Sequence, residues 1–129
     1  MRVLIDTHVW LWMWSEPEKL RNETRTIVED PETELHVSAV SAWEISVKAH
    51  AGRLRLPTDA GDWLADARHL ADVTQLPITF AHASRAGNLP DHHRDPFDRM
   101  LVAQAQIESL ALVTADPQLA AYPVEVIRA

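Results

Sequence analysis

The stretch Val3-Leu4-Ile5, followed directly by Asp6-Thr7, constrains this chain more than any other. Three apolar residues, two of them β-branched, read as a short strand buried on both faces, the pattern of a parallel sheet covered by helices. The run ends in an acid. Open α/β sheets place their chemistry in the crevice outside the carboxyl ends of their strands. Asp6 therefore stands where a functional carboxylate belongs.

A second run of this kind, Ala111-Leu112-Val113-Thr114, is also followed by an acid, Asp116, with Pro117 after it. Glu34–Ser38 and Val124–Ile127 read as further strands, and Leu76-Pro77-Ile78 as a short one placed at an edge by its proline. Between them lie helical patterns. Thr7–Trp14 is apolar nearly all round, and Glu18–Asp30 carries Leu20, Thr24, Ile27 and Val28 on one side until Pro31 stops it. A helix from Ser41 runs to Gly52 as its C′ residue. Another starts at Thr58 or Asp59 and continues through Trp63, Leu64, Ala67, Leu70 and Ala71. Thr79 caps a small helix over Phe80–Gly87, and Asp95-Pro96-Phe97-Asp98 opens the last long one, with proline at the first helical position. Strands alternating with helices predict an α/β fold, a three-layer sandwich with a central, mostly parallel sheet of about five short strands.

No repeat, low-complexity tract or linker divides the chain, so residues 1–129 are expected to form a single domain. With the first strand beginning at residue 2 or 3, no signal peptide is expected ahead of it. No apolar run approaches the roughly 20 residues of a membrane span. The chain holds no cysteine, which excludes disulfides and thiolate metal sites. A cytoplasmic protein is the expectation.

A helix without a polar face is buried or meets a partner, so Trp10 and Trp14 read as core or dimer packing, with stacking on a base as the other use. His8 is expected to hydrogen-bond behind Asp6 rather than to bind a metal.

Each further acid has a local structural reading. Ser41-Ala42-Trp43-Glu44 is a capping box, Asp98 fits the third helical position after an Asp95 cap, and Asp116 fits a cap beside a proline. These readings place the acids together. In a parallel sheet, strand carboxyl ends and the amino ends of the following helices share one edge, so Asp6, Glu44, Asp98 and Asp116 point to one crevice. Like charges at close range raise one another's pKa values. A hard divalent ion with oxygen ligands, Mg²⁺ or Mn²⁺, removes the conflict. Two such ions roughly 3.5–4 Å apart are a device for phosphodiester hydrolysis, and no nucleophilic serine is needed. Helix amino ends at the same crevice favour phosphate. A glycosidase would use two carboxylates, not four. The polar loop Asn88–Arg94 reads as a mobile lip over the site.

A formal charge of −7 runs against nucleic-acid binding. Four acids committed to metal supply more than half of that excess, and bound cations would offset them. Basic residues are skewed to arginine, with only Lys19 and Lys48 as lysines, and arginine is the better bidentate phosphate ligand.

Taken together, Leu4-Ile5-Asp6-Thr7-His8 with Leu11-Trp12, Ser41-Ala42-Trp43-Glu44-Ile45 and Leu76-Pro77-Ile78-Thr79 carry a resemblance. It continues in His93–Leu101, in Ala103-Gln104-Ala105 and in Leu112-Val113-Thr114-Ala115-Asp116. The chain resembles a PIN-domain ribonuclease, and more narrowly a VapC-type toxin of bacterial toxin–antitoxin pairs, over nearly its whole length. The resemblance implies a PIN fold and Mg²⁺- or Mn²⁺-dependent endoribonuclease activity, with Asp6, Glu44, Asp98 and Asp116 as metal ligands. Asp95 is then either an outer ligand or a helix cap. Thr7 and Thr114 would orient ligands or water, and Arg94 and Arg99 are candidates for phosphate contact. A homodimer and a cognate antitoxin are implied as well, with residues 9–14 and the helix near Trp63 as the contact faces to examine.

Three other readings compete. A metal-binding PIN scaffold that acts by protein interaction would be expected to lack a ligand acid, and none is missing. A nuclease acting on DNA has the same acids, so RNA rests on the resemblance. A receiver-type signalling domain needs a lysine near the last strands, whereas both lysines lie in the first half.

Overall fold

β1 (Arg2–Ile5) lies at the centre of a five-stranded sheet in the computed structural model, which describes residues Met1–Ala129. The strand order is β3-β2-β1-β4-β5, with β2 at Glu34–Ser38, β3 at Val73–Leu76, β4 at Ala111–Thr114 and β5 at Val126–Arg128. Every pairing is parallel. The chain moves outward from β1 to β3, then returns to the other side of β1 for β4 and β5. This reversal opens a crevice between the carboxyl ends of β1 and β4, the switch point at which open α/β sheets bind ligands. In register there, Ile5 pairs with Val113.

Alternation along β1 divides the core in two. Val3 and Ile5 pack with Val9, Trp10, Val28, Ile45 and Trp63 on one face of the sheet. Leu4 and Leu112 pack with Leu101, Val102, Ala86 and Leu119 on the other. The first face is covered by α1 (Thr7–Ser15), α2 (Asn22–Glu29), α3 (Ala39–His50) and α4 (Ala60–Ala65), with α5 (Ala67–Leu70) beside them. The second is covered by α6 (Phe80–Asn88) and α7 (Pro96–Glu108). The expected three-layer α/β sandwich is what forms.

Several boundaries differ from the sequence reading. The helix expected over Glu18–Asp30 is a 3₁₀ turn at Pro17–Lys19 followed by α2, because buried Leu20 and Arg21 take extended backbone between them. The helix expected through Ala71 breaks at Asp66, which is extended and accepts the Arg68 N–H at 2.9 Å, starting α5 anew. The edge strand lies at Val73–Leu76, ending before Pro77, which cannot donate to a ladder. β5 begins later than expected, at Val126.

The start of α3 is the most consequential difference. Ser38 is its N-cap, accepting the Val40 N–H at 3.0 Å. Ser41 and Glu44 therefore lie inside the helix and form no capping box. At the other end Gly52, with φ +70°, occupies the expected C′ position. Its N–H donates to Ala49 and that of Arg53 to Lys48, a Schellman closure.

The tryptophans of α1 divide. Trp10 is core, donating Nε1–H to the His69 carbonyl at 3.2 Å and meeting Trp63 edge-on at 5.0 Å. Trp63 is buried and stacked on His69 at 3.9 Å, so neither ring is free for a partner. Trp14 is exposed, as are Trp43 and Phe80.

Candidate active site

Asp6 follows β1 and caps α1, its Oδ1 accepting the Val9 N–H at 2.9 Å. The side chain is only 5% exposed. Burial pushes its carboxyl pKa up, while the Thr114 hydroxyl, the Val9 N–H and His8 favour the charged form. His8 is itself exposed, its ring beside Trp12, and the expected hydrogen bond to Asp6 does not form.

Glu44 comes from the middle of α3 and is 2% exposed. Freed from capping, its carboxylate turns inward. Oε1 accepts a 2.6 Å hydrogen bond from Thr7 Oγ1, and Oε2 pairs with the Lys48 ammonium one turn along the helix. The Thr7 and Ser41 hydroxyls are 2.9 Å apart. Two elements thus meet behind one carboxylate: the start of α1 and the body of α3.

Asp98 sits at the third position of α7. Asp95 caps that helix as expected, Oδ1 accepting from Phe97 at 2.8 Å and from Asp98 at 3.4 Å. Burial, then the charge of Asp95, pushes Asp98 up to about 7; His93 pulls against this, while Glu44 and Asp6 add to it. Asp116 follows β4 and caps the 3₁₀ turn Pro117–Ala121, accepting the Gln118 N–H at 2.9 Å. Thr114 Oγ1 accepts the Asp116 N–H at 3.1 Å.

One residue of the site escaped the sequence reading. His93 Nε2 lies 2.8 Å from Asp116 Oδ2 and 3.3 Å from Asp98 Oδ2. Ligand atoms of His93, Asp98 and Asp116 all lie within 4.8 Å of one another. The only available signal was a histidine two residues before a helix-capping aspartate.

The loop holding His93 is pinned. Arg99 donates to the carbonyls of Ala86, Leu89, Pro90 and His93 at 2.8–3.1 Å. Tyr122 accepts the His93 N–H at 2.9 Å and donates to Pro90 at 2.8 Å. Two expectations are corrected here. The Asn88–Arg94 segment is a fastened strap rather than a mobile lip, and the Arg99 guanidinium serves backbone carbonyls rather than phosphate. Arg94 is exposed.

Of the predicted acids the structure brings Asp98 and Asp116 together around His93, while Asp6 and Glu44 stand outside that group but near enough to act on the charge of Asp98. Their donors are oxygens, the set preferred by a hard divalent cation. Two of the four carboxyls, Asp6 and Asp98, have raised pKa values, as expected of buried acids whose counter-charge is incomplete.

A model of the PIN domain family matches residues 3–125. The chain is 34% identical over 119 residues to ribonuclease VapC22 of Mycobacterium tuberculosis (strain ATCC 25618 / H37Rv), covering 91% of this chain and 88% of that one. Among solved structures, VapBC2 from Rickettsia felis bound to a promoter DNA fragment superposes with a TM-score of 0.75 at 10% identity, covering 99% and 98% of the two chains. VapBC-5 from Mycobacterium tuberculosis gives 0.65 at 21% identity, with 99% and 98% covered. These two show the same fold.

Proposed function

The chain belongs to the PIN-domain family, in its VapC branch, and on that premise we propose that it is a divalent-metal-dependent endoribonuclease, the toxin of a toxin–antitoxin pair. One observation supports the reading: Asp6, Glu44 and Asp98, from three separate elements, lie near enough to act on one another's charge, and Asp98 stands beside Asp116. Its substrate is RNA, and the whole chain acts as one PIN domain in the cytoplasm. No helix is long and apolar enough to cross a membrane.

Asp6, Glu44, Asp98 and Asp116 would hold Mg²⁺ or Mn²⁺. Bound there, such an ion supplies Lewis-acid polarisation of a phosphoryl oxygen and a water of lowered pKa. The remaining chemistry belongs to the chain. Thr7 fixes the Glu44 carboxylate by donating to it, and Thr114 presents its hydroxyl beside Asp6. The amino ends of α1 and α7 open on the crevice and favour a phosphate. Arg94, exposed on the strap, offers a guanidinium to the substrate backbone. Asp95 acts as the cap of α7.

The VapBC relatives support a cognate antitoxin as partner, and a homodimer is the proposed assembly. The test uses the purified chain, freed of any partner, with structured RNA. Cutting with Mg²⁺ or Mn²⁺ and none with chelator is expected. Cutting that persists in chelator would overturn the reading.

A further inference from the structure

His93 is the polar side chain of the crevice for which an all-carboxylate site has no use. The geometry points to His93 as a positioning residue: it fixes the Asp116 carboxylate beside Asp98 and so orients a metal-binding carboxylate. This inference rests on the reading of the crevice as a metal centre.

The two ring nitrogens take different partners. Nδ1 accepts the Asp95 backbone N–H at 3.0 Å. A nitrogen that accepts carries no proton, so the neutral ring has its proton on Nε2, as assigned from the hydrogen-bond partners. That Nε2–H donates to Asp116 Oδ2 at 2.8 Å, and Asp98 Oδ2 lies 3.3 Å from the same nitrogen. The ring thus stands between a carboxylate of α7 and the one after β4, bonded to the latter.

The same geometry argues against His93 as a metal ligand. To offer a lone pair on Nε2, the neutral ring would move its proton to Nδ1. It would then face the Asp95 N–H donor to donor. Oxygens are left to bind the ion, and the ring orients them.

Its surroundings hold the ring in one place. The His93 N–H donates to Tyr122 Oη at 2.9 Å, and its carbonyl accepts from Arg99 Nη1 at 3.1 Å. Arg99 lies one residue after Asp98 and ties the His93 backbone to the start of α7. Asp116 is held at both oxygens, Oδ1 by the Gln118 N–H and Oδ2 by His93. Partners that orient metal ligands in this way typically change metal affinity about 10–100-fold when removed.

Two substitutions separate positioning from loop structure. In His93→Asn the amide can still accept the Asp95 N–H, but nothing replaces the Nε2 donor. In His93→Gln the amide N–H reaches the Nε2 position, while the acceptor at Nδ1 is lost. Mn²⁺ binding to the whole chain is followed by the electron paramagnetic resonance signal of the free ion, and melting in chelator reports folding separately. The expected result is Mn²⁺ binding about 10–100-fold weaker in His93→Asn and close to the parent in His93→Gln. An asparagine variant that binds Mn²⁺ like the parent overturns the role, since His93 would then only secure the strap. So does a folded glutamine variant that loses affinity as far as the asparagine variant. A parent chain that binds no Mn²⁺ overturns the metal centre itself, and His93's role with it.

Discussion

Thr7 Oγ1 donates to Glu44 Oε1 at 2.6 Å, and both side chains are buried. The bond ties the residue after Asp6 to the only candidate ligand that comes from a helix interior. Removing the donor leaves a buried carboxylate oxygen short of a partner, which destabilises by about 1–3 kcal/mol and frees Glu44 to turn. Thr7→Val is expected to lower RNA cleavage about 10–100-fold, while Thr7→Ser stays close to the parent. Steady-state cleavage at several Mn²⁺ concentrations checks this, and an undiminished Thr7→Val would contradict it.

Lys48 supplies the counter-charge of Glu44. Leaving one member of a buried pair unpartnered costs about 3–5 kcal/mol, and the figure is smaller here because Lys48 is partly exposed. In Lys48→Met the loss of stability is expected to be larger in chelator than in Mn²⁺, where a cation takes over the compensation. Thermal melts of parent and variant in both conditions measure the difference. Equal losses would place Glu44 outside the metal centre.

Asp98 gives the pH dependence. Its folded pKa, raised chiefly by burial to about 7, lies above the ordinary value of 3.8. The folded state therefore keeps a proton that the unfolded chain releases across this window. Its contribution to stability is full below the ordinary value and is lost as pH rises through about 7. Asp6, raised as well, acts in the same direction. Metal-free protein is expected to melt at a lower temperature at pH 8 than at pH 6, with a smaller drop in Asp98→Asn. Melts in chelator across that range are the measurement, and a stability that rises with pH in the parent would contradict the assignment.

The two arginines of the strap should behave oppositely. Arg99→Lys cannot reproduce four carbonyl contacts and is expected to cost about 2–4 kcal/mol in urea unfolding. Arg94→Ala is expected to leave unfolding unchanged and to raise KM for RNA. Unaltered RNA kinetics in Arg94→Ala would remove it from the substrate path.

These contrasts trace where the sequence was legible. β1 and β4 could be read because Val3-Leu4-Ile5 and Ala111-Leu112-Val113 are apolar on both faces, a pattern that only a covered central strand requires. Asp6 and Asp116 followed, since a strand's end fixes where the next residue lies. β3 was displaced because Val73-Thr74-Gln75-Leu76 is an edge strand with half-exposed positions and a weak apolar signal. The breaks at Leu20 and Asp66 were hidden because helical periodicity continues across them, and one or two extended residues decide the matter. Glu44 was assigned to a cap because Ser38 and Ser41 offer competing starts for α3. The choice depends on where β2 ends, and the inward turn of the carboxylate depends on Thr7, far away in the chain. His93 was missed for the same reason: Asp95 is its only local partner, and Asp116, Tyr122 and Arg99 are connected to it by no local pattern.

The central claim is that carboxylates at the β1–β4 crevice hold the metal that cuts RNA, and Asp6→Asn tests it most directly. The parent and variant chains, freed of any partner, are incubated with structured RNA and matched DNA, in Mg²⁺, in Mn²⁺ and in chelator. The account predicts that the parent cuts RNA only with metal and that the variant, equally folded, does not cut. A variant that cuts as fast as the parent would contradict it.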